Sequence, residues 1–489
     1  MRKSDIVLIN PGDRKQIFQS LGVEVAAIEP PFWIAVIAAY LRNKGFKVAV
    51  IDANAENISP SETAMRTQEL NPLLATVIVY GSQPSASTQN MDISGKICAE
   101  LSRDKSYKVA LGGLHPSALP EQTMREEKVD FVLDGEGILT LELLLKQLKG
   151  GEADYENING LWWHEGESLR HTVRFPMIQD LDKYLPVGAW DLLPMHLYRA
   201  HNWHCFDDIE HRKPYGAIYT SLGCPFNCDF CCINVPFDKP AIRYRSPERV
   251  LEEIGGLISK YGIKNLKIVD ELFVLKKEHY LEICKGIIEH GYDLNIWAYA
   301  RVDTVNPENL HVMKQAGINW LALGIESANP GVRDGASKNM RRNDIRTVVQ
   351  SVQNAGIRVI GNFIFGLPDD TSETMRETLD MAKELNCEFV NFYAAMAYPG
   401  SKLYGIAIEN HWKLPDSWQG YSQHSYETMP LPTKHLSSIE VLKFRDEAFD
   451  EYFSNPNYLD MIELKFGSAV RSHVQEITSS RLKRKLYEI

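Results

Sequence analysis

Four of the eight cysteines fall within nine residues of one another, and three of these have the spacing of a metal-binding loop. Cys224, Cys228 and Cys231 form a C-x3-C-x2-C motif directly after a predicted strand. Three thiolates from one short loop can bind three irons of a four-iron cluster. The fourth iron is then open to a chelating ligand, such as the amino and carboxylate groups of a methionine moiety. The motif therefore predicts a cluster that takes part in chemistry.

A structural zinc ion is the main alternative for the same thiols. Zinc in a structural site takes four protein ligands, and Cys232 or His204 would have to be the fourth. Cys232 directly follows Cys231, and neighbouring side chains diverge in an extended or helical chain. The cysteines at positions 98, 205, 284 and 387 are scattered, as core or surface thiols are. A disulfide framework would be spread more evenly and would need an oxidising compartment.

The composition indicates an ordinary globular protein. The chain has 489 residues, of which 44% are hydrophobic, and its formal net charge is −11. A protein that coats nucleic acid would show a basic excess, so no nucleic-acid partner is expected. No apolar run is long enough to cross a bilayer, and no signal-like segment opens the sequence. We therefore expect a cytoplasmic protein without a membrane span.

Residues 1–150 alternate short apolar strands with helices, the pattern of a Rossmann-like, doubly wound parallel sheet. The predicted strands are Ile6–Asn10, Val48–Asp52, Val77–Gly81, Val109–Gly113 and Phe131–Gly135. Ligands of such sheets bind outside the carboxyl ends of the strands. Those ends carry glycine, asparagine and acidic residues here. A tight turn explains any single glycine pair, but five such loops on one edge favour a ligand pocket.

A second series of strands and helices begins at residue 215. Six predicted βα units indicate a partial (β/α)6 barrel, with its chemistry at the C-terminal mouth. Residues 151–214 are interpreted as a linker with a small hairpin, and residues 406–489 as a small helical C-terminal domain. We therefore expect an α/β protein divided into residues 1–150, 151–214, 215–405 and 406–489.

The cysteine motif, with Phe230 before its third cysteine, resembles that of the radical S-adenosylmethionine superfamily. The resemblance extends over roughly residues 215–400, through the strand-end segments Asp270-Glu271-Leu272-Phe273, Gly324-Ile325-Glu326-Ser327 and Gly361–Pro368. In this superfamily these segments meet the methionine amino group, the ribose and the adenine, in that order. A guanidinium matches a carboxylate in a bidentate way, so Arg301 would pair with the methionine carboxylate. The resemblance implies that S-adenosylmethionine is bound by Phe230, Asp270, Glu271, Arg301, Glu326 and Asn362.

The N-terminal half resembles the cobalamin-binding domain that precedes the barrel in cobalamin-dependent radical S-adenosylmethionine enzymes. The loops Asp52–Ala55, Gly112–Ser117 and Asp134–Gly137 carry this resemblance, and Tyr421–Ser425 and Arg445–Ala448 resemble the same group. It implies that cobalamin is bound by Asn10, Asp52, Gly81, Ser82, Gly112, Gly113, His115, Pro116, Ser117, Gly135, Glu136 and Gly137. The Asp-x-His-x-x-Gly motif of many cobalamin proteins does not occur. The corrin would therefore bury its nucleotide tail at the sheet edge, with no protein histidine on cobalt.

Together the two resemblances imply an enzyme with a 4Fe–4S cluster, S-adenosylmethionine and cobalamin. In the commonest branch of this group, a 5′-deoxyadenosyl radical removes a substrate hydrogen atom and methylcobalamin supplies a methyl group. We therefore expect methylation of an unactivated carbon of a small molecule, with electrons from an external flavodoxin- or ferredoxin-type reductant. No residue is assigned as catalytic. The alternatives are another radical reaction such as cyclisation or rearrangement, a radical enzyme without functional cobalamin, and a metal-stabilised binding protein.

Overall fold

The computed structural model describes residues 3–19, 25–81, 87–151, 154–340, 344–479 and 481–488, which are organised around two large sheets. The first sheet contains β1 (Ile6–Asn10), β2 (Val48–Asp52), β3 (Leu74–Val79), β4 (Lys108–Gly113), β5 (Phe131–Leu133), β6 (Leu161–Glu165) and β7 (Ser168–His171). The second contains β8 (Tyr215–Ile218), β11 (Asn265–Ile268), β12 (Asn295–Arg301), β13 (Ile318–Glu326), β14 (Arg358–Phe365) and β15 (Phe389–Ala394). A small hairpin is formed by β9 (Ser221–Leu222) and β10 (Arg243–Tyr244). This alternation of strands and helices confirms the expected α/β class.

The first sheet has the strand order β2-β1-β3-β4-β5-β6-β7. Strands β1 to β5 run parallel, and their apolar runs are buried on both faces, as the sequence pattern predicts. The register pairs Asn10 with Asp52, so the ends of β1 and β2 lie side by side. The hairpin predicted within residues 151–214 is present as β6 and β7. It pairs antiparallel with β5, and so covers an edge that would otherwise be open.

The second sheet has the order β15-β14-β13-β12-β11-β8, and all its strands are parallel. It forms an open barrel whose free edges are β8 and β15. The register places Ala217, Lys267 and Trp297 side by side on neighbouring strands. One layer closer to the carboxyl ends, Tyr299 lies beside Ala322. The small side chains of the two alanines leave room inside the barrel.

The helices cover both sheets and close the ends of the molecule. They are Arg14–Phe18, Phe32–Asn43, Ala53–Glu56, Pro60–Leu70, Met91–Leu101, Leu114–Ala118, Pro120–Glu126, Ile138–Gly150, Leu181–Tyr184, Pro247–Tyr261, Lys277–Glu289, Leu310–Gln315, Pro330–Gly335, Ile345–Asn354, Ser372–Leu385, Lys402–Glu409, Ser438–Phe453, Pro456–Phe466 and Ser468–Thr478. Serine or threonine caps begin several of them, as at Ser246 and Thr371. Within the residues that the structure describes, no helix has both the length and the apolar character of a membrane span.

Two segments join the sheets so that the carboxyl edge of the first faces the interior of the second. The chain before helix Phe32–Asn43 pairs with the segment before the barrel through the bridge between Ile28 and Arg199. Glu29, which follows Ile28, extends into the barrel, where Lys267 Nζ donates to its carboxylate at 2.9 Å. Phe32 packs against Tyr219 with ring centroids 5.1 Å apart. The geometry therefore brings the two predicted ligand sites together.

Candidate functional site

The cysteine loop lies between β9 and β10, and Cys224 follows the last residue of β9 by two positions. Side-chain and backbone hydrogen bonds hold the loop. The Asn234 side chain accepts from the backbone N–H of Cys224 at 3.1 Å and donates to the Cys224 carbonyl at 2.9 Å. The backbone N–H of Cys231 donates to the Cys228 carbonyl at 3.0 Å. These hydrogen bonds stabilise the conformation of the loop that carries the three thiols.

The three thiols lie in an apolar but partly cationic environment. Burial raises the pKa of Cys224 to about 11 and also raises the pKa values of Cys228 and Cys231. The charges of Lys338 and Arg301 oppose this effect at Cys228, whose Sγ lies 3.9 Å from Arg301 Nη1. Thiols on one loop with cations nearby fit the donor set of an iron–sulfur cluster, because the cations offset the negative charge of bound thiolates.

The geometry does not support the two further ligands considered for zinc. His204 lies at the barrel's other end, where its Nε2 donates to the carbonyl of Asn295, the first residue of β12, at 3.1 Å. Cys232 is buried in the core, with 2% of its surface exposed. Among the residues that the structure describes, no three His, Cys, Asp or Glu side chains are grouped as a single metal ion would require.

The two acidic residues after β11, Asp270 and Glu271, differ in their hydrogen bonding. Asp270 accepts from the backbone N–H and the hydroxyl of Thr220 and from the Ser221 hydroxyl, at 2.5–2.6 Å. It therefore holds the turn that leads to the cysteine loop. Glu271 lines a small cavity beside Gly223 and makes no hydrogen bond to a described residue. Glu271 is thus the carboxyl group that can meet an ammonium group of a ligand.

The remaining predicted ligands of S-adenosylmethionine lie at the same end of the second sheet. Arg301 binds Asp303 at 3.0 Å, and its guanidinium lies 3.8 Å from the centroid of the Phe226 ring. Asn362 accepts from the Asn391 side chain at 2.9 Å. Phe230 packs in an apolar cluster with Leu367. Arg301 and Phe230 therefore lie at the cysteine loop, and Asn362 lies level with Arg301 in the sheet, since both are in register with Gly324.

Glu326 has a partner that the sequence did not indicate. It lies at the end of β13 with a backbone φ of +67°, and Lys338 Nζ donates to its carboxylate at 2.7 Å. Both side chains are almost fully buried. Lys338 follows no strand and belongs to no recognisable motif; the only signal is a lysine in a loop twelve residues beyond Glu326. We therefore add Lys338 to the residues that surround the ligand site.

Substitution of Glu271 by Gln is expected to stabilise the cluster-free protein at high pH. Burial, with a smaller effect of the Asp270 charge, raises the pKa of Glu271 to about 8. The folded state therefore favours the protonated form, and stability is lost as pH rises from the usual carboxyl pKa through 8. Glutamine is neutral at every pH, so E271Q should exceed the wild type by about 2 kcal/mol at pH 9 and by nothing near pH 4. Urea unfolding at the two pH values measures this, and an equal difference at both would contradict it.

The predicted cobalamin residues at the ends of β1 and β2 mostly bind one another. Asn10 donates to Asp52 at 2.8 Å, and the Tyr198 hydroxyl donates to the second Asp52 oxygen at 2.7 Å. The backbone N–H of Ala55 also donates to Asp52, which is 1% exposed. Asp52 therefore organises the edge of the sheet, while Asn10 also lines the central cavity together with Gly81. Ser82 lies outside the described residues.

The loop after β4 is closely packed against β3. Gly113 has a φ of +141°, and a Cβ there would lie 2.2 Å from the Val79 carbonyl, so only glycine fits. Gly112 is also tightly packed, and Pro116 is buried. His115 is 1% exposed, its Nδ1 lies 3.2 Å from the Thr88 hydroxyl, and burial lowers its pKa to about 3. His115 is therefore a neutral hydrogen-bonding group within the loop.

The loop after β5 connects the first sheet to the cysteine hairpin. Ser117 Oγ donates to the Gly113 carbonyl at 2.8 Å and accepts from the Gly135 N–H at 3.0 Å. Gly137 caps helix Ile138–Gly150 in the left-handed conformation. Glu136 forms an ion pair at 2.8 Å with Arg243 on β10, and both side chains are buried. Glu136 thus faces the barrel-side hairpin.

A cavity of about 360 Å³ extends from the edge of the first sheet into the barrel, and it shares Tyr80 and Tyr219 with the small cavity that Glu271 lines. Asn10, Asn54 and Tyr80 line it at the edge of the first sheet. Tyr219 and Tyr299 line it inside the barrel, below the layer that carries Arg301. Aromatic side chains form most of the barrel wall, and Lys267 and Glu29 add one ion pair. This arrangement can hold a small molecule between two cofactor sites and keep water away from it.

Comparison with known proteins agrees with this geometry. The B12 binding domain family matches residues 19–145, and the radical SAM superfamily matches residues 218–382. The uncharacterized methyltransferase PH0819 of Pyrococcus horikoshii is 32% identical over 460 residues, 94% of each chain. The anaerobic magnesium-protoporphyrin IX monomethyl ester cyclase of Cereibacter sphaeroides is 25% identical over 450 residues, 89% of this chain and 68% of the cyclase. The methyltransferase TsrM of Kitasatospora setae, solved with cobalamin and a 4Fe–4S cluster, superposes over both whole chains with a TM-score of 0.71 and 18% identity.

The fold and the site define a radical S-adenosylmethionine enzyme whose barrel follows a B12-binding domain. The chain belongs to the family of cobalamin-dependent radical S-adenosylmethionine enzymes, since it carries both domains and is similar to the Pyrococcus methyltransferase along 94% of its length. Its cofactors are a 4Fe–4S cluster, S-adenosylmethionine and cobalamin. It acts on a small molecule and takes electrons from an external reductant, as enzymes of this class do.

Proposed function

We propose that the enzyme methylates an unactivated carbon of a small-molecule substrate. The observation that carries the proposal is the cavity shared by Asn54 and Tyr80 at the sheet edge and by Tyr219 and Tyr299 in the barrel. A molecule in this cavity would lie beside the sheet edge proposed for cobalamin and, across Tyr219, beside the cavity that Glu271 lines, which is the positioning that a two-cofactor reaction needs. When bound, the cluster with S-adenosylmethionine supplies a hydrogen-abstracting radical, and cobalamin supplies the methyl group.

The protein's own contribution is position and exclusion of water. Cys224, Cys228 and Cys231 would hold the cluster, and Glu271 and Arg301 would orient the methionine moiety at the barrel mouth. Trp33 stacks on Tyr80 with ring centroids 4.7 Å apart, at the boundary between the two sites. These rings lie on the wall of the cavity, so they limit the positions in which the substrate can bind. The relatives' names support the methyl-transfer reaction, since the Pyrococcus protein and TsrM are both methyltransferases.

The more specific assignments belong to the same proposal. Asn10 and Gly81, which line the cavity, would contact the corrin directly, while Asp52, His115, Ser117 and Glu136 would shape the surrounding loops. We propose residues 1–150 as the cobalamin domain, 151–214 as the linker, 215–405 as the barrel and 406–489 as the cap. A flavodoxin or ferredoxin in the cytoplasm would supply the electrons. All eight cysteines are free, which supports a reducing compartment.

The proposal can be tested before the substrate is known. Reconstituted enzyme with cobalamin and titanium(III) citrate is given S-adenosylmethionine that carries a deuterated methyl group. We expect S-adenosylhomocysteine and deuterated methylcobalamin in equal amounts, detected by mass spectrometry. Adding a metabolite extract should then move the label into one product, with release of 5′-deoxyadenosine. Formation of 5′-deoxyadenosine with no label on cobalamin or product would refute methyl transfer.

A radical cyclisation is the second candidate, because the Cereibacter relative is a cyclase and covers 89% of this chain. Cyclisation consumes the radical without transferring a methyl group. The same experiment therefore separates the two reactions: a cyclase would release 5′-deoxyadenosine in the presence of extract, and the label would leave on the methionine formed with it and reach neither cobalamin nor a product.

A further inference from the structure

A buried arginine in the C-terminal region carries a positive charge into the central cavity. Arg445 lies in the middle of helix Ser438–Phe453, is 5% exposed and lines the cavity. Its Nε donates to the Phe392 carbonyl at 2.8 Å, and its Nη1 donates to Asp446 at 2.8 Å. Its second terminal nitrogen, Nη2, has no hydrogen-bond partner among the described residues. Arg445 therefore keeps the N–H groups of one terminal nitrogen available to a ligand.

Asp446 does not neutralise Arg445, because another arginine already engages both of its oxygens. Arg484, itself 2% exposed, donates to Asp446 from Nε at 3.0 Å and from Nη2 at 2.9 Å. The Tyr487 hydroxyl donates to Asp446 as well, at 2.8 Å. Two buried guanidinium groups thus share one carboxylate, which leaves one positive charge in excess. Burying two cations against one carboxylate is costly, so the retention of the second cation beside a cavity indicates a ligand of opposite charge.

The rest of the cavity has the same sign of charge. Among the described residues that line it, Arg14, Lys267 and Arg445 are basic and Glu29 alone is acidic. Glu29 is already paired with Lys267, so it does not balance Arg445. The ring of His424 lines the cavity as well, and its nitrogens make no hydrogen bond to a described residue. The His424 backbone is fixed on both sides, by the Ser422 hydroxyl at 3.2 Å and by Gln19 at 2.8 Å.

We infer that the substrate carries an anionic group, a carboxylate, phosphate or phosphonate, and that Arg445 binds it with the assistance of His424. A guanidinium edge is well matched to the oxygens of such groups. The aromatic wall of the barrel, which includes Trp297 and Phe389, takes the apolar remainder of the molecule. The inference rests on the proposed function only in treating this cavity as the substrate site. Cobalamin also carries a phosphate, so Arg445 could bind either that phosphate or an anionic group of the substrate, and the two cases give different results in the test.

The test compares two probes of equal shape that differ in charge. The holoenzyme, loaded with cluster and cobalamin, is titrated by calorimetry with 3-phenylpropionate and with its neutral amide, 3-phenylpropanamide. We expect the anion to bind at least about tenfold more tightly than the amide. Arg445→Met should reduce that ratio to about one and leave the affinity for the amide unchanged. Arg376→Met is the matched control, since Arg376 is an exposed arginine that pairs with Glu451 away from the cavity, and it should keep the ratio.

A second variant covers failure of Arg445→Met to fold, which circular dichroism would reveal. His424→Leu should lower the ratio by about threefold or more. A ratio near one in the wild type, absence of probe binding at millimolar concentration, or a ratio unchanged in the variants would overturn the inference. Loss of cobalamin from Arg445→Met on desalting, with the ratio intact, would overturn it too, because the anion would then be the cobalamin phosphate. An anion preference in an enzyme that transfers no methyl group would refute the proposed reaction and leave the anion site standing.

Discussion

Replacing Cys228 with alanine is expected to remove the iron–sulfur cluster and to lower 5′-deoxyadenosine formation at least about 10³-fold, or about 4 kcal/mol. Each of the three thiols would bind a different iron, so loss of one leaves an iron without its protein ligand. Cys228 also lies 3.9 Å from Arg301, whose charge offsets that of a bound thiolate. Iron and sulfide analysis, electron paramagnetic resonance of the reduced protein and chromatography of the nucleoside products measure the effect.

Cys232 provides the matched control. It is adjacent to Cys231 in sequence, buried and free, and alanine at this position only removes a small apolar contact. Cys232→Ala should keep its iron content and its rate, at a stability cost of about 1 kcal/mol. Loss of iron in this variant, or a full complement of iron in Cys228→Ala, would mean that the cluster has a different set of ligands.

Replacing Glu253 with alanine should destabilise the folded protein by about 4 kcal/mol or more, without touching any cofactor residue. Glu253 and Arg245 form an ion pair in which both side chains are fully buried. Glu253 also accepts from the backbone N–H of Gly188 at 2.9 Å and from the Trp190 indole at 3.0 Å. Alanine would leave a buried guanidinium unpaired and two donors without acceptors, which is among the most costly changes in a core.

Urea unfolding followed by circular dichroism measures this value. The exposed pair Arg346–Glu384 is the control, since solvent screens it and Glu384→Ala should not change the unfolding midpoint measurably. Two variants with equal midpoints would show that the buried pair contributes no more than a surface pair.

The parts of the site that the sequence predicts are those encoded by local pattern. The spacing of Cys224, Cys228 and Cys231 is visible within eight residues, and Asp270, Arg301 and Glu326 follow apolar runs whose length marks strand ends. Parallel strands align their carboxyl ends, so these residues could be assigned to one barrel mouth. The six strands of the second sheet follow from the same repetition of pattern.

The parts that the sequence does not predict depend on contacts between distant segments. Asp52 was expected to meet cobalamin, yet one of its oxygens is taken by Tyr198, 146 residues further along the chain. Lys338 and Arg445 belong to a loop and a surface-like helix, where a basic residue usually faces water. Their burial against Glu326 and Asp446 follows from how the segments pack, which no local periodicity records.

The ion pair between Glu136 and Arg243 connects the loops proposed to hold the two metal centres. Glu136 belongs to the loop proposed to shape the corrin site, and Arg243 lies on the strand paired with the one that leads into the cysteine loop. Arg174 strengthens the link, because it donates to the carbonyls of both Ser117 and Val235. In a closed cycle of binding steps, any gain in iron retention caused by the corrin equals the gain in corrin affinity caused by the iron. We expect the corrin to order the loop that carries Glu136, so protein prepared without vitamin B12 should lose its iron more readily although its cysteines are intact.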